Sequence, residues 1–348
     1  MRVANSREPG WDEGAWDAFV AGHAAAHPLQ LRAWGQLKSE SGWEAARLGL
    51  FEQDRLLAGA QVLFHRLPRL GFLPWRLAYV PKGPLVDWGN KALVQPLLDG
   101  LWRFCLRRRA LLLKIEPEAP DEPDLARQLG GLGLHRSRRT VQPQTTVWID
   151  LQADEDTILA GMKQKWRYNV RLAARKGVTV RVGEAADLAA FSRLMQVTGA
   201  RNEFGVHEPA YYRRFWELFA PGGQAALLLA EYEGQVLSGL MVAHLAGKAY
   251  YLYGASGNDD RNLMPNHLLQ WETMRWARER GCTAYDLWGV PNEVGADEEA
   301  PIPDPPVDLW GVWRFKRGFG GHVVRYTGAW DKSYLPVFAR RTALSTQP

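Results

Sequence analysis

The chain is 348 residues long, 46% hydrophobic and 23% charged, with a net charge of +5. That composition excludes a disordered or fibrous protein and suggests about two domains with a sizeable core. No apolar run approaches the ~20 residues needed to cross a bilayer, the N-terminus is too polar for a signal peptide, and Cys105 and Cys282 have no metal-ligand partner at short spacing. A reduced, cytoplasmic protein without a metal site is therefore expected. Residues 12–23 have the apolar spacing of a short helix. After them Gln30, Trp34 and Lys38 stand four residues apart, so one helical face would carry all three. A lysine snorkelling along an aromatic stripe and a functional cation both fit that pattern. Residues 43–65 read as two strands around a turn at 53–55. Residues 77–84 read as a strand running into a Lys-Gly-Pro loop, 91–109 as a helix, and 110–116 as a strand stopped by Pro117.

Residues 154–177, DEDTILAGMKQKWRYNVRLAARKG, read as one helix. Leu159, Met162, Trp166, Val170 and Ala173 recur at helical spacing and give it a core face. Lys163, Lys165, Arg167, Arg171, Arg175 and Lys176 crowd the rest, with acids at the start and bases at the end, as the helix dipole favours. Most such runs are solvated faces, but the last fourteen residues hold no acid. A basic face without compensating carboxylates attracts a polyanion, with tRNA or anionic lipid the natural candidates.

Residues 250–291 carry a strand, a Gly/Asn/Asp/Pro loop, a helix and a second strand. Asn266 is placed as N-cap and Gly281 as the residue after the helix end. Leu269, Thr273, Met274, Trp276 and Ala277 share one side of the helix, and Glu272, Arg275, Arg278 and Glu279 the other. The second strand is expected at 283–288, parallel or nearly so to the first. The order recurs: residues 231–240 match residues 51–60 at a constant offset of 180, and residues 93–117 parallel 268–291. Two copies of one α/β unit follow, the second starting near Asp150. Residues 292–308, rich in Pro, Asp and Glu, read as a mobile surface loop. Phe315-Lys316-Arg317 comes next, between aromatic residues and a glycine cluster, where the lysine is either desolvated or part of a surface basic cluster. Residues 323–337 read as a strand returning to the first domain.

Strand–strand–strand–helix–strand, with helices before it, is the layout of the acetyltransferase-like (GNAT) fold. The expected class is α/β (α+β), with two tandem GNAT-like domains at residues 1–149 plus 322–348 and residues 150–321. In that fold a glycine-bearing loop before the crossover helix holds a CoA pyrophosphate. Here the position reads RNLMPN, residues 261–266, with no glycine and with Pro265 removing an N–H. Such a loop is a poor phosphate cradle, and ordinary acetyl-CoA transfer is not expected.

KQKWRYNVRLAARKGVTV, YLYGAS with the helix that follows it, FKRGFGG and YVPKGP together resemble the FemABX family of non-ribosomal peptidyltransferases, over nearly the whole chain. With no room for a coiled-coil arm between Asp187 and Tyr212, the resemblance is to armless members. It implies transfer of an amino acid from aminoacyl-tRNA, a co-substrate with no cofactor beside it, to the stem peptide of lipid II or UDP-MurNAc-pentapeptide, building the interpeptide bridge. It implies a monomer in the cytoplasm, with peripheral contact at the inner face of the membrane. By the same resemblance Lys38, beside Trp34, contacts acceptor phosphate and Glu116 faces the acceptor. Tyr212 and Tyr253 line the acceptor site, Phe315 and Lys316 stand at the reaction centre, and Lys163, Lys165, Arg167, Arg171 and Arg175 face tRNA. One departure is Glu208, which stands where the pattern has an arginine for acceptor phosphate. It favours lipid II over the UDP-linked form, with Arg201 or Arg213 as substitutes.

An aminoacyl ester is already activated, so the implied reaction needs no Ser, Cys or metal nucleophile, and no triad or metal cluster is evident. Lys316 is the candidate cation for the tetrahedral oxyanion. Glu116 is a candidate proton acceptor or acceptor-binding group. Two other readings stay open: transfer from aminoacyl-tRNA to a protein N-terminus, and a non-enzymatic GNAT-like module binding tRNA or lipid.

Overall fold

The computed structural model describes residues 1–67, 75–202, 205–295, 303 and 309–334. They fall into two units, Met1–Gln144 with Arg325–Pro348, and Thr145–Val324. The first unit holds β1 (Arg2–Asn5), α1 (Glu13–Gly22), α2 (Arg32–Ser39), β2 (Trp43–Glu52), β3 (Arg55–Arg66), β4 (Arg76–Val80), α3 (Lys91–Arg107), β5 (Ala110–Ile115), α4 (Pro123–Gly131) and β6 (His135–Arg136). The second holds β7 (Thr145–Asp150), α5 (Glu155–Gly161), α6 (Gln164–Arg175), β8 (Thr179–Val182), α7 (Leu188–Asn202), α8 (Pro209–Phe219), β9 (Ala225–Tyr232), β10 (Gln235–Leu245), β11 (Lys248–Ser256), α9 (Pro265–Glu279), β12 (Ala284–Asp286) and α10 (Leu309–Lys316). It closes on β13 (His322–Arg325), and β14 (Trp330–Ser333) belongs to the first unit.

The two sheets have the same plan. The first runs β1-β2-β3-β4-β5-β14-β6 and the second β8-β9-β10-β11-β12-β7-β13. In each, the parallel pair is the one joined by a crossover helix, β4/β5 through α3 and β11/β12 through α9. β14 lies antiparallel beside β5 as β7 lies antiparallel beside β12. The hairpins form because short turns supply left-handed residues, Gln53 between β2 and β3, and Glu233 with Gly234 between β9 and β10. Each sheet packs one face on its crossover helix. Leu48, Val62 and Phe64 lie with Leu97, Leu101 and Phe104 in one core. Leu228, Leu240 and Val242 lie with Trp271, Met274 and Ala277 in the other. Full burial of each Leu, Val, Phe or Met among them contributes about 1.5–3 kcal/mol.

The repeat, the parallel crossover and the return of the chain to the first sheet agree with the sequence reading. Several details differ. The expected domain boundaries move to 144/145 and 324/325, because β7 pairs with β12 and so belongs to the second sheet. The single helix at 154–177 is two: Met162 is extended (φ −72°, ψ 152°), and Lys163 becomes the N-cap of α6. The core face survives the break, since Met162, Val170 and Ala173 are buried and Leu159 and Trp166 pack against them. The N-cap of α9 is Met264 rather than Asn266. Its φ of 59° turns the chain so that Pro265 takes the first helical position, where its missing N–H costs nothing. Residues 323–337 are two strands, of which β13 stays with the second sheet and β14 joins the first; 335–337 lie outside the described residues. So does most of the acidic loop at 292–308.

Candidate active site

In the second unit β12 stops at Asp286, level with Tyr250, while β11 runs on to Ser256. A bulge puts Met241 opposite Tyr253 and Val242 opposite Tyr251, leaving Leu252 as the extra residue. Bulges of this kind re-aim side chains beside functional sites. Lys316, the last residue of α10, reaches the segment that follows β12. Its Nζ donates to Gly289 O at 2.9 Å and lies 5.6 Å from the centroid of the Tyr251 ring. Among the described residues Gly289 is its one hydrogen-bond partner, so donors of the ammonium remain for the oxygen of a ligand. Lys316 is 5% exposed. Burial pushes its pKa down to about 7, against the opposing pull of the Asp286 carboxylate.

Asp286 is buried and fully engaged. It accepts hydrogen bonds from Thr146 Oγ1, from Trp148 Nε1 at 3.2 Å and from the Trp288 amide at 2.7 Å. Trp288 sits in the left-handed region at φ 63°, an unusual backbone for so bulky a residue. The bond to Asp286 holds that conformation, and Gly289, whose carbonyl meets Lys316, is the next residue. Phe315 packs edge-on against His267 at 5.4 Å and Phe319 at 4.9 Å. His267 is held neutral, with burial and then Lys165 lowering its pKa to about 4.

Tyr212 of α8 and Tyr253 of β11 come together, their rings T-shaped at 5.4 Å. Burial raises the pKa of Tyr212 to about 12. Two neighbours complete the cluster that sequence reasoning missed. Tyr211 shares a hydrogen bond between hydroxyls with Tyr253 at 3.1 Å, and His207 stacks on Tyr211 at 3.8 Å. The doubled tyrosine in EPAYY was the only sequence signal for them. Arg201 is not free to replace the missing arginine: its guanidinium donates to Ser256 O at 3.1 Å, Gly257 O at 3.0 Å and Asn258 Oδ1 at 2.8 Å. Glu208 is the N-cap of α8, and Arg213 is exposed one turn on.

On α6 and its N-cap, Lys163, Lys165, Arg171 and Arg175 are exposed. Arg167 is not part of that face. Its guanidinium turns back to Ala160 O at 2.9 Å and to Met162 O, closing carbonyls that the break after α5 leaves open.

In the first unit Lys38 lies in the last turn of α2 with its Nζ 4.9 Å from the Trp34 ring centroid, and burial lowers its pKa to about 8. Gln30 is not on this helix. It belongs to a preceding 3-10 turn, where its amide binds Pro81 O and the Gln61 amide N–H. Glu116 is buried, with its carboxylate accepting from Tyr79 Oη, Val141 N and Gln142 N. Burial raises its pKa against those bonds. Two residues along, Glu118 forms a buried ion pair with Lys82 at 3.0 Å, a pair the sequence did not announce.

The sequence model of the FemAB family matches residues 12–122, 123–237 and 230–345. The chain belongs to the FemAB family. Curated relatives include lipid II:glycine glycyltransferases of Staphylococcus saprophyticus and Staphylococcus aureus. The first is 28% identical over 91% of this chain and 90% of its own length, the second 27% identical over 90% of each. Among solved structures, FemX superposes with a TM-score of 0.87 at 26% identity, covering 98% of this chain and 99% of its own. A tandem GNAT protein from the clavulanic acid pathway, at 14% identity and a TM-score of 0.54 over 96% of this chain and 99% of its own, shares the fold. The chain therefore has two GNAT-like units, and among the described residues α7 and α8 follow one another without a coiled-coil arm.

Proposed function

We propose that this FemAB chain is an aminoacyltransferase that moves an amino acid from aminoacyl-tRNA to the stem-peptide amine of lipid II, building the interpeptide bridge. The observation that carries this reading is Lys316, a buried ammonium with donors to spare against the segment that follows β12. The names of relatives matched over about nine-tenths of their length supply the acceptor.

In the reaction the neutral acceptor amine attacks the ester carbonyl of the aminoacyl-tRNA. The new C–N bond forms, the C–O bond to the ribose breaks, and the proton leaving nitrogen ends on the ribose hydroxyl. No net proton is released, and no cofactor enters. Lys316 faces the oxyanion of the tetrahedral intermediate, where a preorganised donor lowers the barrier by about 2.7–4 kcal/mol. The exposed bases of α6, Lys163, Lys165, Arg171 and Arg175, take tRNA phosphates. In the first unit Lys38 beside Trp34 takes an acceptor phosphate; in the second, Tyr212 and Tyr253 offer the acceptor an aromatic wall and Phe315 stands next to Lys316. Glu116 has its oxygens committed to Tyr79, Val141 and Gln142, which favours a role in shaping the first unit over proton transfer. No helix among the described residues is long and apolar enough to cross a membrane, and a monomer working peripherally at the inner face meets lipid II there.

Incubation with aminoacyl-tRNA, lipid II and a peptide with a free N-terminus tests the reading. Amino acid on lipid II supports it. Amino acid on the peptide makes the chain a protein N-terminal transferase, and binding without turnover makes it a tRNA or lipid module.

A further inference from the structure

KQKW and FKRGFGG lie 149 residues apart, from Trp166 to Phe315, and the fold joins them. α10 ends at Lys316, and the last carbonyls of a helix have no partner within it. Trp166 of α6 supplies one, its Nε1 donating to Phe315 O at 3.0 Å. Just beyond, the Lys163 amide donates to Gly318 O at 2.9 Å. Lys163 is the N-cap of α6, where amides are likewise without intrahelical partners, so the start of one helix satisfies the end of the other. Gly318 lies against the Trp166 indole so closely that a Cβ there would come within 2.0 Å of the ring. Gly320, at φ 80°, approaches the backbone of Gly161, where a Cβ would meet its carbonyl oxygen at 2.6 Å. Gly318 and Gly320 of FKRGFGG are thus demanded by contact with α6 and α5, while Gly321 lies against Trp148 and Ile149 of β7. The same indole packs edge-on against His267 at 5.5 Å, and His267 packs on Phe315.

We propose that Trp166 is a positioning residue for Lys316: by capping Phe315 O and backing Gly318, α6 fixes the backbone from which Lys316 reaches Gly289. The inference rests on Lys316 acting in transfer as set out above. It makes the polyanion-binding helix and the seat of the reacting cation one piece. Lys165 is adjacent to Trp166, so a phosphate drawn to the exposed side of α6 lies within a turn of the residue that seats Lys316.

Trp166→Phe removes the indole N–H and keeps an aromatic ring in place; Gly318→Ala pushes the ring away by a second route. Brief acetic anhydride labelling of the full-length protein, read by peptide mass spectrometry, reports the exposure of each lysine without any substrate. In both variants Lys316 should label about fivefold faster, the shift that one lost hydrogen bond permits, while Lys38 is unchanged. In single-turnover transfer to lipid II the maximal rate should fall between about fivefold and 10²-fold, the range open to a misplaced group. The aminoacyl-tRNA concentration giving half-maximal rate should stay within about twofold of wild type. Unchanged Lys316 labelling in both variants overturns the proposal, whatever happens to the rate. Faster labelling with a wild-type rate also overturns it, because the seat would then not matter to Lys316. Absence of transfer by the wild-type protein would instead overturn the reaction reading, and the labelling result would still decide whether α6 seats Lys316.

Discussion

Replacing Lys316 with methionine keeps the unbranched stem and removes the charge. The side chain is 5% exposed and lies between Gly289 and the Tyr251 ring, so methionine fills the same space without a buried ammonium to desolvate. The fold should hold, with a Tm no lower than wild type. Transfer should fall by roughly 10²–10³, the usual loss for one oxyanion donor. The pH dependence sharpens the test. Burial brings the ammonium's pKa to about 7, so about nine-tenths is charged at pH 6 and about one-tenth at pH 8. The acceptor amine titrates in the opposite sense, which flattens the wild-type profile above pH 7. The ratio of wild-type to variant rate cancels that amine, and it should shrink about ninefold from pH 6 to pH 8. The assay is single-turnover transfer from aminoacyl-tRNA to lipid II at saturating protein. A Lys316→Met rate equal to wild type, or a ratio that does not change with pH, would refute the cation's role.

Combined reversal of Lys165, Arg171 and Arg175 to Glu should weaken tRNA binding and reduce the slope of log affinity against log salt by roughly 2–3. Arg167→Glu should chiefly lower the Tm, because its guanidinium serves Ala160 and Met162 carbonyls. Lys38→Ala should raise the KM for lipid II more than it lowers kcat, and the wild-type KM should itself rise above pH 8 as that ammonium, with a pKa of about 8, is lost. A pure kcat defect would place Lys38 elsewhere in the reaction. Lys82→Met leaves Glu118 buried without its counter-charge and should cost about 3–5 kcal/mol of stability in urea unfolding. Burial works to raise the Glu118 pKa, but Lys82 and His27 hold it down at about 2. The carboxylate's stabilisation is therefore present above its ordinary value near 4.3 and lost as pH falls toward 2. The difference between wild type and Lys82→Met should shrink over that window.

The repeat was legible because hairpins, crossover helix and parallel strand recur at fixed spacing, and spacing survives where identity does not. The buried face of α9 was legible for the same reason. The break after α5 was not: Gly161 is a stop signal, but the apolar period continues across it and Met162 and outweighed it. What holds the break is one local contact, Arg167 on the freed carbonyls, and one tertiary contact, Gly318 O on the Lys163 amide. Lys316 stood out by its aromatic and glycine neighbours, yet Asp286, Trp288 and Gly289, which shape its site, read only as the end of a strand. Their roles depend on a left-handed tryptophan that no propensity suggests. Arg201 looked available as a phosphate ligand because nothing in sequence reveals that the end of β11 and the two residues after it turn acceptors toward it.

The most direct measurement is transfer of radiolabelled glycine from glycyl-tRNA to lipid II by the purified protein, since the relatives matched over 90% of their length are glycyltransferases by name. Label should appear in lipid II, depend on intact tRNA and disappear after ribonuclease pretreatment. If saturating protein leaves lipid II unlabelled with glycine and with every other aminoacyl-tRNA, while the charged tRNA stays intact, the chain is not the aminoacyltransferase proposed here.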